Sequence, residues 1–172
     1  MKLKSLQHEK YFLKRLVHWQ YDLEVAGLAA QQILTRHLHQ SQDADDQALL
    51  VCLNICLTVS YWRPFTQSKG AEGVPRSLPD GFLDRYTDSE RELHCSVKRS
   101  RNTAHAHSDP ESMQVDFMVV DGPFAVPRWS NPFQPLTRSE VERLNSMISK
   151  ILASIRDEQV RIQVLLDPGD LF

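Results

Sequence analysis

The chain has 172 residues, 41% hydrophobic and 24% charged, a balance that supports one sizeable core and excludes a disordered chain. Twenty Lys and Arg against 22 Asp and Glu give a net charge of −2, so the molecule as a whole has no pull toward nucleic acid or an anionic membrane. Any polyanion site must be a local patch, and a single domain over residues 1–172 is expected.

The opening MKLKSLQHEK lacks the apolar stretch of a secretion signal. The longest apolar run, Ala48–Val59, is interrupted by Asn54 and is too short to span a bilayer, so no membrane partner is expected. Cys52, Cys56 and Cys95 are odd in number and contain no C-x-x-C pair. They predict a cytoplasmic protein whose reduced thiols behave as small hydrophobes.

The first 63 residues hold no proline and one glycine, Gly27. Phe12, Leu16, Trp19, Leu23, Ala26, Ala30 and Ile33 step by fours and threes, which predicts a long amphipathic helix. Ser41–Asp46 breaks it, and His37 and His39 read as charges at its C-terminal end. Ala48–Trp62 is apolar nearly all round and predicts a central helix touched on several sides. From Arg63 to Tyr86, Pro64, Gly70, Gly73, Pro75, Pro79 and Gly81 predict a long loop. Thr87–Glu90 offers caps for a third helix, with Leu93 and Val97 facing inward.

Further on, Val115, Phe117 and Val119 alternate with polar or flexible neighbours, Asp121-Gly122 makes a turn, and Phe124 with Val126 forms a return strand. Thr137–Glu140 is a capping-box pattern. Behind it Val141, Leu144, Ile148, Ile151, Ile155, Ile162 and Leu165 form a near-heptad stripe that needs a partner, either the core of this chain or a dimer seam. The expected fold is all-α: an up-down bundle of four to five helices with a small β-hairpin insertion and one long loop.

Chemistry concentrates in Val97–Asp109, VKRSRNTAHAHSD, which carries Lys98, Arg99, Arg101, Asn102, His105 and His107 before its first acid, Asp109. On a continuous helix His94, Lys98, Arg101 and His105 share one face at about 100° per residue. Four potential cations in a stripe repel one another unless an anion covers them, although a solvated basic face is the commoner meaning of such a pattern. Leu93 and Val97 put the stripe at the margin of the core. Asp109-Pro110 disfavours helix at its end, which would let His107 fold back toward Arg101 and Asn102. His94, Cys95, His105, His107 and Asp109 could be drawn as a metal site, but an H-x-H pair suits a strand better than a helix end, and no metal or cofactor is expected.

Arg101-Asn102, four residues, then His107 resembles the Arg-polar…His signature of HEPN domains (higher eukaryotes and prokaryotes nucleotide-binding). Arg101-Asn102…Ala106-His107-Ser108-Asp109, with His94 upstream and Tyr61-Trp62-Arg63-Pro64-Phe65 before it, resembles the abortive-infection-like branch. The resemblance implies a helical domain that dimerises to bring two motifs into one cleft. It also implies metal-independent RNA cleavage of toxin or phage-defence type, with RNA as substrate and, for a toxin, an antitoxin protein as a further partner. Arg101 and His107 would then be catalytic, with Asn102 positioning one of them; Arg63, His94, Lys98, His105 and Asp109 would contribute to binding.

That chemistry is sound in itself. A histidine has the ordinary pKa of a base near neutrality, an arginine can meet the charge that grows on the phosphate, and an amide can orient either group. Arg63 is equally a phosphate ligand or a charge closing a helix, and Tyr61, Trp62 and Phe65 either stack on bases or pack the core. Two other outcomes stay open: a non-catalytic HEPN-like module binding a nucleotide, nucleic acid or protein, and a structural dimerisation module built on the Val141–Leu165 stripe.

Overall fold

The computed structural model describes residues 2–68, 74–101, 115–120, 124–129 and 134–166, and of residues 2–6, 115–120 and 124–129 the backbone alone. The fold is mostly helical, as the sequence predicts. Helix α1 (Lys2–Thr35) buries all seven residues of its predicted stripe, none of them more than 8% exposed. It packs along α2 (Ala44–Trp62) on one flank and along α4 (Arg138–Leu165) on the other, while α3 (Asp88–Ser100) touches both α2 and α4.

Each helix thus packs against two others, with the most extensive contacts made by α1; α2 is touched by α1, by α3 and by the 3-10 turns at its two ends. Apolar composition alone did not decide which helix makes the most. α2 buries Leu50, Asn54, Leu57, Thr58, Tyr61 and Trp62, yet leaves Cys52 and Ile55 exposed. α1 is long enough to serve two neighbours, and its small residues allow close approach: a Cβ on Gly27 would meet Ile148 Cγ2 of α4 at 3.7 Å. α2 with the 3-10 turn that follows, Ala44–Phe65, is also longer than its apolar run and is the one candidate bilayer-crossing helix by length and composition among the described residues. Here part of that surface is packed against α1. The thiols also depart from expectation, since Cys52 and Cys95 are exposed.

Helix starts follow local chemistry. Asp43 caps α2 by accepting from the Asp45 and Asp46 N–H groups. Thr87 with Glu90 and Thr137 with Glu140 close complete capping boxes on α3 and α4. His39 does not act on the end of α1: its Nε2 lies 2.8 Å from the Leu136 carbonyl, tying that turn to the entry of α4.

The described parts of the 63–86 connection are anchored. Arg63–Phe65 forms a 3-10 turn, the Leu78 N–H donates to the Pro64 carbonyl at 2.7 Å, and Val74, Leu78, Leu83 and Tyr86 are buried. Strands β1 (Val115–Val120) and β2 (Phe124–Trp129) pair antiparallel, Val115 opposite Trp129 and Val120 opposite Phe124. On α4 the stripe from Val141 to Ile162 is buried within this chain, joined by Met147, and Leu165 is exposed. Core packing accounts for the stripe.

Candidate functional site

α3 carries His94, Lys98 and Arg101 at one-turn intervals beside the buried Leu93 and Val97. The stripe therefore sits at the margin of the core, as expected. Helical backbone continues through Arg101, the C-cap (φ −61°, ψ −42°), whose N–H reaches the Lys98 and Val97 carbonyls. Asn102, His105, His107 and Asp109 lie outside the described residues, and so does the expected meeting of Arg101 with His107.

His94 is the most elaborated position of the stripe. Four aromatic rings surround it: Trp62 and Phe65 at centroid distances of 4.7 Å, Tyr61 at 5.8 Å and Tyr86 at 6.2 Å. Its Nδ1 is 2.8 Å from the Tyr61 hydroxyl, which is 3.1 Å from the Tyr86 hydroxyl, and Tyr86 donates to the Met147 carbonyl at 3.4 Å. Burial, with Lys98 and Arg91 adding to it and Asp80 opposing, lowers the imidazole pKa from 6.5 to about 4. At neutral pH the ring is uncharged. Burial likewise holds the Tyr61 and Tyr86 phenols above their ordinary value, so both stay protonated donors.

Lys98 extends over the indole of Trp62, its Nζ 5.6 Å from the ring centroid. One indole therefore touches both His94 and the Lys98 ammonium. Arg63 is not part of this cluster by its pairing: its guanidinium turns to α1 and meets Asp22 at 3.3 Å. Trp62 and Tyr61 are buried, so packing is their main role, and Phe65 is half-buried against the same histidine.

Sequence reasoning missed Tyr86, the far end of the hydroxyl chain, and the Glu90–Lys150 pair that fixes the start of α3 on α4. Helix caps were legible in Thr87–Glu90, but nothing local pointed to Lys150. A second concavity, a cleft of about 710 Å³, lies between Phe12, the Pro75–Arg85 segment and the last turns of α4. It contains none of the predicted site residues; among its charged groups Arg85 pairs with Asp157, and Arg161 with Glu158 and with Glu9 outside the cleft.

The chain matches no family model, no curated protein and no solved structure.

Proposed function

We propose that the chain is a metal-independent endoribonuclease of toxin or phage-defence type, a single HEPN-like domain acting as a homodimer. In this reading the helices form an up-down bundle and β1 with β2 is a hairpin inserted between α3 and α4. His107 removes the proton from a ribose 2′-hydroxyl, the oxygen attacks the adjacent phosphorus, and the 5′-oxygen leaves. Arg101 meets the negative charge that grows on the phosphate, and Asn102 orients one of the two. RNA is the substrate because DNA lacks the nucleophile.

The observation that carries this reading is the line of Lys98 and Arg101 beyond a neutral His94, on a helix whose backbone runs on through Arg101 toward Asn102. Such a line is suited to an anion that lies along it. A second reading, a non-catalytic module binding nucleotide, nucleic acid or a protein partner, is favoured by one fact. Lys98 and Arg99 occupy the last turn of α3, where cations complement the helix dipole without any phosphate.

Purified protein incubated with mixed RNA in chelator separates the two. The parent is expected to leave 2′,3′-cyclic phosphate and 5′-hydroxyl ends, and Arg101→Ala and His107→Ala to cut at least about 100-fold more slowly. Equal cleavage by all three, or none by the parent, overturns the enzyme reading. RNA binding retained in a parent that does not cut supports the second.

A further inference from the structure

The hydroxyl chain behind His94 has a direction. Tyr86 has one proton and the Met147 carbonyl has none, so Tyr86 must donate to that carbonyl if the 3.4 Å contact is a hydrogen bond. Its oxygen is then the acceptor for Tyr61, whose only proton is thereby committed. Tyr61 can meet His94 only as an acceptor, which requires the imidazole proton to sit on Nδ1. The opposite direction, Tyr86 to Tyr61 to His94, makes two hydrogen bonds where this one makes three. The buried phenols therefore favour the Nδ1–H tautomer, and Nε2 carries the free lone pair. Nε2 has no hydrogen-bond partner among the described residues, and the ring is only half-buried.

We propose that His94 recognises ribose: Tyr61 and Tyr86 are positioning residues that fix its Nδ1–H tautomer, and Nε2 accepts a hydrogen bond from an RNA 2′-hydroxyl while Lys98 and Arg101 hold the neighbouring phosphate. The inference rests on the ribonuclease reading and adds to it the residue that tells RNA from DNA. Two features place an acceptor and a phosphate ligand side by side. Lys98 follows His94 by one helical turn, and both pack on the Trp62 indole. The 2′-hydroxyl is the donor that adjoins every RNA phosphate and is missing from DNA. With its pKa near 4, His94 is an acceptor throughout the neutral range rather than another cation in the stripe.

The test has a spectroscopic arm and a binding arm. In full-length protein with ¹⁵N-labelled histidine at pH 7, long-range proton–nitrogen correlation is expected to show His94 protonated at Nδ1 and bare at Nε2. Tyr86→Phe removes the acceptor of Tyr61, whose hydroxyl then turns onto Nδ1 and moves the imidazole proton to Nε2. For binding, both proteins also carry His107→Ala so that the strand is not cut. The Tyr86-intact protein is expected to prefer an oligoribonucleotide over its 2′-O-methyl counterpart, which keeps the 2′-oxygen but has no proton to donate, by about 2–10-fold, and Tyr86→Phe, whose Nε2–H needs only that oxygen, to lose that preference.

An Nε2–H tautomer in the parent overturns the proposal, and this measurement stands even if Tyr86→Phe fails to fold. An Nδ1–H parent with equal affinity for the two oligonucleotides overturns the ribose role while leaving the ribonuclease reading intact. No binding to either strand overturns the nucleic-acid reading itself, and the ribose role with it.

Discussion

Lys150 of α4 places its ammonium 2.7 Å from each carboxylate oxygen of Glu90 on α3, and 3.4 Å from the Arg85 carbonyl. Glu90 is 6% exposed and also closes the capping box of its own helix through the Thr87 N–H at 2.8 Å. Burial pushes its carboxyl up, and the Lys150 and Thr87 hydrogen bonds more than offset that, leaving it below its ordinary value. One ion pair thus joins the start of α3 to α4 and to the 80–86 connection, which sets where the His94–Arg101 stripe lies.

Removing the cation alone strands a buried carboxylate. Lys150→Met is expected to lose about 2–4 kcal/mol of unfolding free energy in urea. The double variant Lys150→Met with Glu90→Gln should recover most of the loss, because glutamine is neutral and still serves a capping box. A single variant within about 0.5 kcal/mol of the parent would show that the pair does not hold the joint.

Asn54, fully buried on α2, accepts the Leu136 N–H through Oδ1 at 3.0 Å and donates through Nδ2 to the Leu50 carbonyl, also at 3.0 Å. It fastens the entry of α4 to α2. Asn54→Leu leaves the Leu136 N–H without its acceptor, for an expected loss of about 1–3 kcal/mol. Hydrogen exchange at Leu136 should quicken with it; an unchanged Leu136 amide would contradict the assignment.

Asn54 also marks where sequence reading stops. It stands in the chain as an interruption of an apolar run, and its role depends on Leu136, 82 positions away. The α1 stripe, the caps at Thr87–Glu90, the capping box at Thr137–Glu140 and the α4 stripe were legible because each is a local or periodic pattern. Which helix makes the most extensive contacts was not, since composition made α2 the more apolar candidate while length and the small residues near Gly27 let α1 lie closely along both α2 and α4. The site divides the same way. His94, Lys98 and Arg101 follow from helical spacing, whereas Tyr61 and Tyr86 reach His94 through contacts between segments.

Gly27 offers a prediction of opposite sign. It lies inside α1, where glycine is a poor helix former, and an added methyl would meet Ile148 Cγ2 at an ordinary 3.7 Å. Gly27→Ala is expected to stabilise by about 0.5–1 kcal/mol and to raise the melting temperature by about 1–4 °C. A lower melting temperature would mean that α1 and α4 are closer there than this contact allows.

His94 should dominate the mildly acidic limb of stability. Its pKa is about 4 in the fold and 6.5 as an ordinary imidazole, so between those values the unfolded chain binds a proton that the folded chain refuses. Stability is then full above about pH 6.5, falls as the pH drops through that window, and the loss is complete below about 4. The interval corresponds to roughly 3 kcal/mol unscreened, and water at the exposed edge of the ring reduces it to about 1–2 kcal/mol. Glu90, held below 4.5, adds its own loss only at the acid end of the same range. Urea titrations from pH 7.5 to 4 on the parent and on His94→Gln separate the two contributions. The variant should lack the fall between pH 6.5 and 5 that the parent shows, and a parallel fall in both proteins would assign it to other groups.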